Sequence, residues 1–260
     1  MMALPERAMQ PIMRAVFVIC SFMKPSIYKL LSALTLSLSA LPCMVSPASA
    51  MTMLRSNDTL ILFGKIEASD LQRFHRNLSG GPVKHVVLTE SPGGDMGAAY
   101  GISHLITQRK INTAVRGSCY SACAIIFMAG IERQMLAGKD LARTSLGFHG
   151  PHNKETLEIS VEAIPKLKEW LLNATQGKFP EELLDRALFI KQANDMMFFY
   201  YPGANASKGN IRFCNAGSLE NPRKCNNIEG HDILSVGILT TPELLQVESL
   251  EPPTSDSQNR

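Results

Sequence analysis

Ser121 stands in "GSCYSACAIIFMAG", residues 117–130, with Cys119 and Cys123 two positions away on either side and an apolar run beginning just after it. A serine hydroxyl attacks a carbonyl only when a base takes its proton, a group orients that base, and two donors face the developing oxyanion. If a strand ends before Ser121 and a helix starts after it, the first-turn N–H groups, beginning with Ala122, lie near the hydroxyl and favour negative charge there. The small residues Gly117, Ser118, Ser121 and Ala122 suit a merely well-packed turn equally well. The other parts of a site must therefore be found elsewhere.

The stretch "ESPGGD" (90–95) offers one of them. Glycines after a parallel strand let the backbone approach a ligand and present an unpaired N–H. His149 in "LGFHG" is the base candidate, because it ends an apolar, strand-like run downstream of the serine. His152 and His104 compete for that role, whereas His75, His85 and His231 lie outside the motif region.

These residues need a scaffold, and the apolar patterning supplies one. "TLILFGKI" (59–66) and "VKHVVLTE" (83–90) read as strands, with Ser69 placed to cap a helix over "DLQRFHRNL" between them. Tyr100, Ile102, Leu105 and Ile106 suit one face of a helix over 98–110, and "INTAVRG" (111–117) is the strand that leads to Ser121. "ACAIIFMAG" reads as a buried helix, and "RQMLAG" and "TSLGFHG" as short strands. Strands and helices alternating at this spacing predict parallel βαβ units in an α/β domain covered on both faces.

Further along, 155–174 and 180–193 have helical periodicity, with Pro165 at a boundary and Pro180 in a first turn. About 202–232 is a polar, irregular, cysteine-bearing insert; "ILSVGILTTPELLQ" reads as strand, turn and helix. The domain thus spans 51–245, and 246–260 is disordered by composition. No internal repeat is present.

A chain of 260 residues with 45% hydrophobic content suits one domain of ordinary size. Of its 26 basic and 23 acidic residues, the first fifty positions hold Arg7, Arg14, Lys24 and Lys29 against Glu6 alone, so the remainder is electrically balanced. That balance gives no footprint for nucleic acid or an anionic membrane surface. Lys24 and Lys29, an apolar run over 30–45 and Ala48-Ser49-Ala50 predict an export signal cleaved after Ala50, with Met23 the alternative start. Membrane anchoring follows only if that segment is retained. Export leaves Cys119, Cys123, Cys214 and Cys225 in a compartment where disulfides persist. Of the three pairings, a loop-closing Cys214–Cys225 bridge is favoured by the segment between them, and a Cys119–Cys123 bridge is geometrically tight.

Taken in order, Ser91-Pro92-Gly93-Gly94, Ser121 and His149 resemble the ClpP/crotonase-like superfamily, specifically its exported ClpP-like serine peptidases. The resemblance covers residues 59–150. It implies a spiral of ββα units with a parallel sheet and a helical C-terminal half. Ser121 would be the nucleophile, His149 the base, and Gly94 and Ala122 the oxyanion-hole N–H donors. Asp195 in "QANDMMFFY" is the positional match for the acid, with Asp185 behind it. A peptide or protein substrate, no cofactor, no metal and a homo-oligomer would follow.

The chain departs from the family where Tyr120 and the two cysteines replace small residues around the serine, and it carries no features for docking an unfoldase. Three alternatives stand beside the triad: a nucleophilic Cys119 or Cys123, a dyad of Ser121 with Lys166 or Lys168 as in the signal peptide peptidases, and a catalytically inactive binding or assembly protein. Acyl-CoA chemistry of the crotonase branch is disfavoured, because exported proteins do not meet that cofactor.

Overall fold

The computed structural model describes residues 50–246 except 139, 154, 205–208 and 217–223. The export segment through position 49 and the tail from position 247 lie outside the described residues. Nine strands among the described residues form one sheet. They are β1 (Thr52–Ser56), β2 (Thr59–Phe63), β3 (His85–Ser91), β4 (Asn112–Tyr120), β5 (Arg133–Met135), β6 (Ser145–Phe148), β7 (Met196–Tyr200), β8 (Ile211–Cys214) and β9 (Cys225–Asn227). The order is β1-β2-β3-β4-β6-β7-β8-β9, and β5 pairs with β4 as well.

The expected parallel sheet is confined to the centre. β2, β3, β4, β5 and β6 pair in parallel, whereas β1 pairs antiparallel to β2 and β6 through β9 form an antiparallel series. β4 is the longest strand and serves two neighbours on one edge. Its first half, Thr113–Val115, pairs with β5, and its last residues, Ser118–Tyr120, pair with β6.

The helices are α1 (Asp70–Ser79), α2 (Met96–Gln108), α3 (Ala122–Met128), α4 (Ile164–Ala174) and α5 (Glu181–Leu188). Side chains alternate across a strand, so Leu60, Leu62, Val86, Leu88 and Val115 share the main core with Phe74, Leu78, Ile102, Ile106 and Phe127. Each such side chain contributes about 1.5–3 kcal/mol by leaving water. The alternate positions Ile61, Val87 and Ala114 form a smaller cluster with Leu136, against which Leu245 packs. α3 is buried at every position, which accounts for the unbroken apolar run after Ser121.

The C-terminal half corrects the sequence expectation. The helix expected over 155–174 begins only at Ile164, after a 3-10 turn at Val161–Ala163, and Pro165 sits in its first turn. "MMFFY" is strand β7: Met197 and Phe199 enter the main core, while Met196 and Phe198 pack on the opposite face. A strand buried on both sides shows no period-two pattern, which hides it beside helical sequence. The insert holds the β8–β9 hairpin, in which Cys214 and Cys225 are directly paired and bridged.

The closing segment is neither strand nor helix over 233–240. It is held by the buried Arg133 instead. Arg133 Nε donates to Ile238 O at 2.8 Å, Nη1 to Gly130 O at 3.0 Å, and Nη2 to Ala174 O at 3.0 Å and Gly237 O at 2.9 Å. Burial lowers the Arg133 pKa to about 10.

Candidate active site

Three neighbouring strands end side by side. The β3–β4 register places Ser91 opposite Cys119, and the β4–β6 register places Tyr120 opposite Gly147. Ser91-Pro92-Gly93-Gly94, Ser121 and His149 therefore follow the carboxyl ends of β3, β4 and β6. Adjacent strands lie about 4.8 Å apart, and crevices at this end of a parallel sheet are where ligands bind. A cavity of about 370 Å³ opens there, with Gly94, Ser121 and His149 in its wall. The structure thus brings together three residues from separate parts of the sequence.

Ser121 has φ 55° and ψ −123°, a left-handed backbone that costs a non-glycine residue about 1–3 kcal/mol. Several contacts impose it. Ser121 N–H donates to Gly147 O at 2.9 Å, and Ser121 O accepts from Ala124 N–H at 2.9 Å. The Cys119–Cys123 disulfide then ties the end of β4 to the first turn of α3, and both cysteines are fully buried. Of the three pairings the sequence allows, the structure forms the one that joins Cys119 to Cys123 and Cys214 to Cys225. With their sulfurs bonded to each other, Cys119 and Cys123 carry no thiol.

The glycine loop is shaped by a β-bulge. Pairing of β3 with β4 shifts register between Thr89 and Ser91, where Glu90 has φ 43°. Glu90 Oε2 accepts from Ser118 Oγ at 2.7 Å, tying the bulge to β4 just before the serine turn. Gly93 and Gly94 follow with φ 94° and 141°. A side chain at Gly94 would strike the carbonyl oxygen of Ile66, and one at Gly93 would come within 2.6 Å of Tyr120 O. Ile66 N–H donates to Gly93 O, and Asp95 N–H donates to Ile66 O. Gly94 N–H therefore points away from this bridge, and neither it nor Ala122 N–H donates to any described residue.

His149 is partly buried, and its Nδ1 is enclosed with no hydrogen-bond partner among the described residues. Burial lowers its pKa to about 4, and the neighbouring His152 adds to the shift. The two imidazoles stack, with centroids 5.1 Å apart and planes 21° from parallel. His152 Nδ1 lies 2.8 Å from Gly150 O, and its Nε2 lies 3.3 Å from Lys191 O. The Ser121 hydroxyl makes no hydrogen bond to a described residue, so serine and histidine share the cavity without a direct bond.

The expected acid is elsewhere. Asp195 lies on the turn before β7, its Oδ1 accepts from Ala216 N–H at 3.0 Å, and it lines a separate depression with Arg186, Lys191 and Phe213. Asp185 pairs with Lys168 at 2.8 Å, and Glu181 pairs with the same lysine at 3.0 Å. The hydrogen bond that Lys168 donates to Asp185 leads the interactions that raise the Lys168 pKa, so Lys168 is held as a cation and is no base. Lys166 Nζ sits 5.6 Å over the Tyr100 ring. Neither lysine is in the cavity wall with Ser121. His104 and His75 face a different groove, between α1 and α2.

Sequence reasoning did not assign the cavity wall contributed by Ser160, Glu162 and Ala163, because these residues precede the helix that fixes them. It also passed over Glu90, whose positive φ has no signature in residue type. Among the described residues no group of three or more His, Cys, Asp or Glu side chains could hold a metal, and no helix is long and apolar enough to cross a membrane.

No protein-family model matches the chain. No curated protein matches it either. Among solved structures it is similar to ClpP1 from Listeria monocytogenes, at 14% identity over 74% of this chain and 92% of that one, with TM-score 0.45. It is also similar to the ClpP protease catalytic domain from Plasmodium falciparum, at 13% identity over 75% and 87% of the two chains, with TM-score 0.42. A further similarity is to a mutant of the 1510-N membrane-bound stomatin-specific protease, at 16% identity over 52% and 72%, with TM-score 0.39.

Proposed function

We propose that the chain is a serine peptidase of ClpP-like type, in which Ser121 is the nucleophile and His149 the base of a dyad. The observation that carries this reading is the left-handed Ser121, held between β4 and α3 and opening on the cavity that Gly94 and His149 also line. A serine on a strained strand-to-helix turn presents its Oγ away from the backbone.

Ser121 Oγ attacks the substrate carbonyl as His149 takes the hydroxyl proton. The oxyanion accepts from Gly94 and Ala122 N–H, neither of which donates to a described residue. Collapse of the tetrahedral intermediate breaks the C–N bond, and His149 protonates the leaving amine. Water then attacks the acyl-enzyme and gives its proton to His149; as the bond from carbon to Ser121 Oγ breaks, His149 returns that proton to Oγ, releasing the acid and restoring both residues. Serine–histidine bonds are often long before substrate binds and tighten in the complex. Because Nδ1 is enclosed, Nε2 is the nitrogen that meets Ser121.

The substrate would be a peptide or protein, handled by a homo-oligomer outside the cytoplasm, and the two disulfides are compatible with an oxidising compartment. A fluorophosphonate probe tests the site: wild-type protein reacts at Ser121, and Ser121→Ala does not. Absence of labelling in folded wild-type protein would overturn the reading. The unpartnered His149 Nδ1 favours one second reading, a non-catalytic groove that binds peptide. In that case peptide affinity would survive in Ser121→Ala while no acyl-enzyme forms in wild type.

A further inference from the structure

Among the described residues no carboxylate is bonded to His149, yet its ring is confined. Its Nδ1 is enclosed without a partner, and Asp195 is committed to Ala216 N–H in another depression. What does contact the ring is His152, stacked on it with centroids 5.1 Å apart at 21°.

His152 is itself pinned. One ring nitrogen lies 2.8 Å from Gly150 O and the other 3.3 Å from Lys191 O. A neutral imidazole can donate from only one nitrogen, whereas the imidazolium donates from both. The backbone at His152 is fixed too, since it forms a bridge with Ile159 and the neighbouring Pro151 O accepts from Ser160 N–H at 2.8 Å. A rigid plate thus lies against the face of His149.

We propose that His152 is the positioning residue for His149: its ring, donating to the carbonyl of Gly150 or Lys191 when neutral and to both when protonated, and carried on a backbone bridged to Ile159, holds the His149 imidazole by stacking in the cavity shared with Ser121. The proposal rests on the peptidase reading only for its catalytic consequence; the stack itself stands apart from it. In a Ser–His–Asp site a carboxylate both orients the imidazole and fixes its tautomer. Stacking orients the ring and leaves the tautomer unfixed. His152 also bears on charge. Among the described residues the titratable groups in the cavity wall are His149, His152, Asp95 and Glu162. Asp95 is engaged as the cap of α2, its Oδ1 accepting from Ala98 N–H at 2.8 Å, and His152 is the neighbour whose charge opposes protonation of His149.

Two variants separate stacking from charge. His152→Phe keeps an aromatic plate and removes the charge, and His152→Ala removes both. The first readout is NMR titration of the His149 ring nitrogens, which needs no catalysis. Wild type is expected to show one ring environment titrating near 4. His152→Phe should keep one environment with an upward-shifted titration, and His152→Ala should give averaged ring signals and a still higher titration. The second readout is the fluorophosphonate labelling rate at Ser121, expected to fall about tenfold in His152→Ala and to be largely retained in His152→Phe, as loss of one aromatic stack implies. An unchanged His149 ring environment and titration in a folded His152→Ala would overturn the proposal. If wild type shows the NMR behaviour without any labelling, the stack stands and the peptidase reading falls.

Discussion

At the scale of single residues, the candidate site combines a serine in a strained backbone conformation with a histidine whose pKa is lowered by burial. Glycine adopts the Ser121 backbone conformation freely, so Ser121→Gly should raise stability by about 1 kcal/mol while abolishing probe labelling. Ser121→Ala should abolish labelling without that gain. Urea unfolding of the two variants side by side measures the difference. His149 makes a second prediction, from a pKa lowered from 6.5 to about 4 by burial and by His152. The folded state holds the ring neutral while the unfolded chain protonates it between these values. Its contribution is therefore complete above pH 6.5 and is lost as pH falls to about 4, at up to about 3 kcal/mol. The stability of wild type relative to His149→Asn should decline across that window in urea titrations at pH 7 and pH 4.5. On the peptidase reading the same shift places the acid limb of kcat/KM near pH 4, because the neutral ring would be the base. Turnover should be slow, since removing the acid from a triad lowers kcat about ten-thousandfold.

At the scale of elements, the two disulfides do different work. Cys119–Cys123 closes over the serine turn between β4 and α3 and so flanks Ser121 of the cavity wall, whereas Cys214–Cys225 closes the β8–β9 hairpin, which contributes no residue to that wall. Replacing either pair by alanine should cost about 2–3 kcal/mol, as expected for short loops. Their effects on the site should diverge. Cys119→Ala with Cys123→Ala removes a restraint on the left-handed serine, so labelling should slow by about ten- to a hundredfold, the size of the strain it helps to contain. Cys214→Ala with Cys225→Ala should leave the labelling rate unchanged. Chemical denaturation and labelling kinetics on the two double variants separate stability from geometry.

At the scale of the whole molecule, Arg133 joins parts that are far apart in sequence. Its guanidinium binds carbonyls after α3, at the end of α4 and in the closing turn, and its backbone exchanges bonds with Thr240. No carboxylate among the described residues shares this site, so the charge is balanced by carbonyl dipoles alone. Arg133→Met should destabilise the fold by about 3–5 kcal/mol, because three buried carbonyl oxygens and a fourth, partly buried one lose their donor. Arg133→Lys should recover only part of the loss, since an ammonium cannot span that fan of acceptors. Urea midpoints of the two variants check the ranking.

What the sequence determined by itself was local. Apolar runs marked β2, β3, β4 and the buried α3, and "SPGG", Ser121 and "GFH" were legible because each sits where a strand gives way to a turn. Strand ends on neighbouring strands must meet, so the order of the motifs carried the cavity with it. Tertiary structure decided the rest. β7 is buried on both faces and loses its alternation, and the β8–β9 hairpin is defined by a disulfide rather than by its composition. The closing segment takes its shape from a distant guanidinium. The partner of His149 is likewise a matter of packing: Asp195 had a suitable position along the chain, but its carboxylate satisfies another N–H, and the group against the ring is His152. Side-chain contacts depend on where the backbone turns, and that is fixed only when all the elements pack together.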